Sequence, residues 1–335
     1  DWLTYEKGYS NITAADQLDE ILESHYFVLC ADEADLMLHL ADGEENGNKA
    51  LYYRSSINPA NDVSTLFTLE AFEGGYCLRN IDYDGLLLQT EANAAWNFRT
   101  HDQPYPISWA RFMFQNVGSS WTIENGTYAG NWLGLWTPEN GYVDGEELAC
   151  NKTGDEVGHF QLFAIPRERF HVDYINNQAL PADASILIQN PAFDANSWAL
   201  WTVKGTFGNQ RFNGAAETWH STNFTMQQTL KGLPTGQYVI SCQMANGEGN
   251  NTGYLFAKTG EEMQKAVVSQ SCAGSDFDTQ RNMMATDERY GLLTVCINVL
   301  EDEELVFGIT EPTNGTTWLV FDNFRLSYLG SDVTE

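Results

Sequence analysis

An approximate threefold repetition runs through the first half of the chain, and it restricts the fold more than any other feature. Tyr26-Phe27-Val28-Leu29 leads through a polar turn to Leu36-Met37-Leu38. Tyr76-Cys77-Leu78-Arg79 leads to Asp84-Gly85-Leu86-Leu87-Leu88. Trp121-Thr122-Ile123-Glu124 leads to Leu133-Gly134-Leu135-Trp136. Each segment has the pattern of a hairpin: an aromatic-led strand, a turn rich in Gly, Asp or Asn, and a leucine-rich strand. A further strand follows each one, at Leu66-Phe67-Thr68-Leu69, Arg111-Phe112-Met113-Phe114 and His159-Phe160-Gln161-Leu162. Phe67, Phe112 and Phe160 thus stand 45 and 48 residues apart. A near-constant period of this length marks a repeat architecture, because one such unit cannot bury its own apolar face. Three units packing round a pseudo-threefold axis bury a common core, with the three phenylalanines expected near the axis.

Residues 25–169, read this way, resemble a β-trefoil. Among trefoils they are most similar to ricin-type lectins, but the Gln-x-Trp that marks each lectin repeat is replaced here by Phe-x-Leu or Phe-x-Phe. The resemblance implies carbohydrate binding, although trefoils also serve as protease inhibitors and docking modules, and both readings stay open. A short helical lead-in is predicted over residues 1–24. Thr13-Ala14-Ala15-Asp16 has the spacing of a capping box, and Ala15, Leu18, Ile21 and Leu22 share a face.

Asn176-Asn177 and Pro181-Ala182-Asp183 mark residues 170–184 as a linker. A second domain is predicted over 185–335. Tyr238, Ile240, Cys242 and Met244 alternate along one strand, and Leu293, Val295, Ile297 and Val299 along another. Further strands are expected at 218–230, 254–257, 305–310 and 318–328. About eight strands with little helix argue for a β-sandwich. The fold class is therefore all-β: a β-trefoil followed by a β-sandwich.

Three stretches carry a second resemblance. They are Asn190-Pro191-Ala192-Phe193-Asp194 with Trp198, then Ala216-Glu217-Thr218-Trp219 through Leu233-Pro234-Thr235-Gly236-Gln237-Tyr238, and Trp318-Leu319-Val320-Phe321-Asp322-Asn323-Phe324. Together they resemble galactose-binding-like jelly rolls of carbohydrate-binding modules. That resemblance implies a bacterial surface or secreted protein that handles glycans, with further domains in a larger protein. It also implies a structural calcium ion where the first and last strands meet, with Asn190, Asp194 and Asp322 as the oxygen donors.

Composition narrows the partners. A formal charge of −29 repels nucleic acid and anionic membranes. No apolar run approaches the ~18 residues of a membrane helix, and the start at Asp1 is read as processed or trimmed; the extracytoplasmic expectation is what the jelly-roll resemblance implies. The six cysteines form no Cys-x-x-Cys pair, and their pairing is left open. His25, His39, His101, His159, His171 and His220 are scattered, and pairs such as Glu44-Glu45 and Glu261-Glu262 fall in polar turns, so no catalytic constellation is predicted. The ten tryptophans offer stacking platforms for sugars. Trp132, Trp136, Tyr142, Trp201, Trp219 and Tyr254 are the carbohydrate-binding candidates, whereas Trp198 and Trp318 are expected in the core. Asn-x-Ser/Thr occurs at Asn11, Asn125, Asn151, Asn223, Asn250 and Asn314, a short pattern that polar β-proteins meet by accident. The function predicted is non-catalytic glycan binding, with a protein-docking or adhesive module as the alternative.

Overall fold

The structure is a computed structural model, and it describes residues 8–31, 36–41, 50–55, 62–82, 87–90, 98–100, 104–206, 208–248, 252–314 and 318–331. His101, Asn250, Glu44, Glu45 and the turn at 84–86 lie outside the described residues. The chain divides into two compact units, residues 1–170 and 171–335.

The first unit holds β1 (Ser10–Ile12), helix α1 (Ala15–Ile21), β2 (His25–Ala31), β3 (Leu36–Ala41), β4 (Ala50–Ser55) and β5 (Phe67–Phe72). It continues with β6 (Gly75–Asn80), β7 (Leu88–Thr90), β8 (Phe98–Thr100), β9 (Phe112–Val117), β10 (Ser120–Asn125), β11 (Trp132–Leu135), β12 (Leu148–Lys152) and β13 (Phe160–Pro166). Six of these close a barrel in the order β2-β5-β6-β9-β10-β13, with β13 returning to β2. The hairpins β3–β4, β7–β8 and β11–β12 complete the threefold plan. This is the connectivity of a β-trefoil.

The repeat reappears in the register of the barrel. Phe27 lies opposite Phe67, Tyr76 opposite Phe112, and Trp121 opposite Phe160. Phe67, Phe112 and Phe160 are fully buried in one apolar cluster with Phe27 and Trp121. Burying side chains of this size, at roughly 1.5–3 kcal/mol each, is the main force holding three marginal units together. Trp121 satisfies its indole by donating Nε1–H to the Ile12 carbonyl, 2.6 Å away, which ties β1 to the barrel.

Helix α1 buries Leu18, as its spacing requires, but the cap differs from the expectation. Thr13 does not cap it. Ala14 occupies the cap position with no side-chain bond, and the Gln17 carboxamide oxygen reaches back to accept the Thr13 amide at 3.4 Å.

The stretch read as a linker is ordered secondary structure. Helix α2 (Arg167–Asn176) covers its first part. Phe170 packs edge-on against Tyr26 at 5.2 Å, and in the second unit the buried His171 holds Nδ1 2.7 Å from the Lys231 carbonyl oxygen. β14 (Ala182–Asp183) then pairs with the last strand. Asn176 and Asn177 end a helix rather than begin a flexible segment, because Phe170 and Ile175 give that helix an apolar side to bury.

The second unit has two stacked sheets. One contains β16 (Asn209–Phe212), β17 (Ala216–Trp219), β19 (Gly236–Glu248), β22 (Leu292–Val299) and β24 (Trp318–Gly330), with β14 at its margin. The other contains β15 (Thr202–Thr206), β18 (Thr222–Leu230), β20 (Tyr254–Thr259), β21 (Glu262–Val267) and β23 (Leu305–Asn314). The chain changes sheet at most connections, the pattern of a jelly roll. The strand expected over 218–230 is two strands in different sheets, broken where His220 takes a left-handed φ of 61°. Helix α3 (Phe277–Thr286) was not anticipated. It covers the outer face of the first sheet, where Phe277 and Met284 cluster with Ala215, Ala245, Cys272 and Val320.

Candidate functional site

Strand β17 alternates: Ala216 and Thr218 are buried, while Glu217 and Trp219 face outward. Its neighbour β24 places Trp318 directly opposite Trp219. Beyond them the chain enters α3 through Ser275 and the cap residue Asp276, whose carboxyl accepts the Thr279 amide at 2.8 Å. That amide bond holds the Asp276 carboxyl below the usual range. Glu217, Trp219, Ser275 and Trp318 together line a cleft of about 220 Å³.

The cleft is built from fixed parts. Trp318 donates Nε1–H to Glu217 Oε2 at 2.8 Å, which orients both groups. The indole of Trp318 occupies the space where a side chain at 247 would project: a Cβ on Gly247 would come within 1.8 Å of Trp318 Cε3. Trp219 is 42% exposed, and its ring meets that of His220 at 4.5 Å. Ser275 Oγ accepts Gln280 Nε2–H at 2.9 Å, and Tyr290 holds Gln280 from behind through its hydroxyl at 2.5 Å. Because Oγ is already an acceptor, the Ser275 hydroxyl proton is available to a ligand. Helix α3 is fastened to the sheet by Arg211, whose Nη2 bonds both Asp278 carboxylate oxygens at 2.8 and 2.9 Å.

The other sequence candidates are placed elsewhere. Trp201 is buried: it stacks on Phe193 at 5.8 Å and donates Nε1–H to the Asn190 carbonyl, so it is a core residue and not a sugar platform. Trp318, expected in the core, instead lines the cleft, because Gly247 leaves room for its ring on the outer face. Trp198 is half-buried, with Phe212 edge-on at 4.6 Å and its indole bonded to Gln210. Tyr254 lies on the other sheet, with the Lys265 ammonium 5.3 Å from its ring centre. Trp132, Trp136 and Tyr142 belong to the third trefoil hairpin and its loop. Trp136 is 38% exposed, while Tyr142 packs partly against the barrel core. The buried Glu146 braces that loop by accepting the Thr137 amide at 2.9 Å and Asn140 Nδ2–H at 2.8 Å.

Of the three residues expected to hold calcium, Asn190 is committed to the loop around it. Asn190 is fully buried, donates Nδ2–H to the carbonyls of Ser197 and Ala199, and accepts the Ala195 amide on Oδ1. Asp194 points to the exterior, and Asp322 accepts the amide of Asn323 at 2.7 Å. Among the described residues no group of three or more His, Cys, Asp or Glu side chains gathers as a metal site. All six cysteines are free thiols, five of them buried and Cys296 exposed. Among the described residues no helix is long and apolar enough to cross a membrane. Asn125, one of the six glycosylation-pattern sites, is buried and committed to the Thr127 and Tyr128 amides, whereas Asn223 is exposed.

No protein-family model and no curated protein matches the chain. Among solved structures, a lectin of Polyporus squamosus bound to a human-type influenza-binding epitope is similar at 14% identity and a TM-score of 0.32. That likeness covers 42% of this chain and 48% of the lectin, so the chain spans about half the lectin's length. The carbohydrate-binding module TmCBM61, in complex with β-1,4-galactotriose, is similar at 14% identity and a TM-score of 0.29, over 42% of this chain and 97% of that one. The C-half of an earthworm R-type lectin, in complex with GalNAc, is similar at 14% identity and a TM-score of 0.32, over 42% and 99%.

Proposed function

We propose that this chain is a non-catalytic glycan-binding protein of extracytoplasmic location, a surface or secreted component of bacterial type, and that it binds through the Trp219–Trp318 cleft. The observation that carries the reading is the juxtaposition of two indoles on adjacent strands with a carboxylate and a hydroxyl. Sugars offer apolar ring faces edged by hydroxyls, and this lining supplies aromatic surface together with an acceptor and a donor. A cleft of about 220 Å³ is smaller than the ~300–1,000 Å³ of sites for drug-sized ligands, which suits one sugar ring. Among the described residues its lining holds one carboxylate, Glu217.

The test is a glycan array followed by calorimetry on the hits. Trp219→Ala is expected to weaken binding more than about tenfold, a loss of about 1.4 kcal/mol or more. Trp136→Ala on the trefoil hairpin is expected to leave affinity unchanged. Silence across plant, host and microbial polysaccharides would remove the glycan reading and leave a protein-docking module in its place.

A further inference from the structure

Among the described residues Glu217 has no cationic partner. Directly opposite it on β16 stands Arg211, the obvious partner. The Arg211 guanidinium is instead committed to Asp278 and lies 4.5 Å above the ring of Phe277. Arg281 also goes to Asp278, at 3.1 Å. Among the described residues no salt bridge reaches Glu217, and its one hydrogen bond is the neutral one from the Trp318 indole. A net negative charge therefore stands between two aromatic rings in a half-enclosed cleft. Aromatic faces are themselves attractive to cations, more so where water is partly excluded. The whole chain, at −29, adds a field of the same sign.

We propose that Glu217 makes the cleft selective by charge, so that it takes amine-bearing pyranoses before neutral ones and neutral ones before acidic ones. This rests on the glycan-binding reading above. An ammonium on the sugar ring gains a charge-assisted hydrogen bond to Glu217 together with attraction to the indoles. A uronate, sulfate or sialic carboxylate meets a like charge that none of the described lining residues neutralises. Arg211 and Arg281 are both engaged with Asp278, at 2.8 and 3.1 Å, and either would have to leave it to reach Glu217. His220 against Trp219, Asp276 beside Ser275 and Glu248 opposite Trp318 are titratable residues next to the lining, so ligands are compared at one pH.

The experiment titrates the full chain at about pH 5.5, above the ordinary carboxylate range and well below that of amines, so that the amines along a glucosamine oligomer carry their protons. The probes are glucosamine oligomers with free amines, glucose oligomers of the same linkage, and oligoglucuronates. The amine series is expected to bind about tenfold more tightly than the neutral one, with the acidic series weakest. Raising ionic strength from about 0.01 M to about 0.15 M, which shortens the screening length from ~30 Å to ~8 Å, should narrow that spread. Glu217→Gln keeps an oxygen for the Trp318 indole and removes the charge, so it should collapse the order while the melting temperature holds. If sugars bind through Trp219 but their order ignores charge or survives Glu217→Gln, the charge inference falls and the glycan reading stands. If no sugar binds and Trp219→Ala changes nothing, both fall.

Discussion

Asn190 shows how one residue can look like a ligand and act as a scaffold. It adopts a left-handed φ of 49°, which asparagine tolerates better than most residues. In that conformation its carboxamide reaches the carbonyls of Ser197 and Ala199, and its own carbonyl receives the Trp201 indole. The loop 190–201 is thus folded round one buried side chain. Asn190→Ala strands two buried carbonyls and strains the backbone, and is expected to cost about 2–4 kcal/mol of stability. Denaturant unfolding measures the loss. Calcium or a chelator should leave the melting curve where it is, since both ends of the Asn190 carboxamide are already bonded within the loop.

At the scale of elements, the cleft depends on the close approach of β19 and β24 at Gly247. Gly247→Ala puts a methyl into the Trp318 ring, so the indole must leave its seat and give up its bond to Glu217. Ligand affinity should fall about as far as in Trp219→Ala, and a red shift in tryptophan fluorescence should report the ring moving into water. The barrel strands were legible because a period near 45 residues, combined with aromatic-led alternation, leaves little choice of fold. A subtler sign of the same period passed unread: Asn80 and Asn125 also stand 45 residues apart. Each ends a barrel strand and folds the following turn onto its carboxamide, Asn80 through Asp82 and Asn125 through Thr127. The cleft was half-legible. Trp219 was one of six aromatic candidates, placed near the start of a strand expected over 218–230. Trp318 and Ser275 were not candidates, because their roles depend on a glycine 71 residues before Trp318 in the chain and on a helix of weak amphipathicity. Trp201 misled for the opposite reason: its buried bond to a backbone carbonyl leaves no trace in the sequence.

The molecule as a whole keeps protonated thiols in both of its cores. Burial pushes Cys77 in the trefoil and Cys272 in the sandwich up to about 12, and drives Cys150 and Cys242 in the same direction. An unfolded thiol loses its proton near ~8.5. The folded state therefore binds these protons more tightly, and that contribution is complete below about pH 8.5 and is lost as pH rises toward 12. Both units should lose stability through this alkaline window, as denaturation midpoints taken at successive pH values would show. In the native protein iodoacetamide should reach Cys296 first, with the other five labelled only on unfolding, which mass spectrometry resolves.

The closed barrel also sets a timetable. β2 finds one of its two barrel neighbours in β13, with His25–Ala31 running against Phe160–Pro166. Roughly 130 residues separate the partners along the chain, and a ribosome adding about 5–20 residues per second leaves that side of β2 waiting for roughly 6–26 s. The waiting strand, Tyr26-Phe27-Val28-Leu29-Cys30-Ala31, is apolar and uncharged, the composition most prone to pair with a neighbouring nascent chain. The circularity that leaves the finished barrel without an open edge thus concentrates the hazard of making it into one interval of synthesis, when a chaperone on this short segment would matter most.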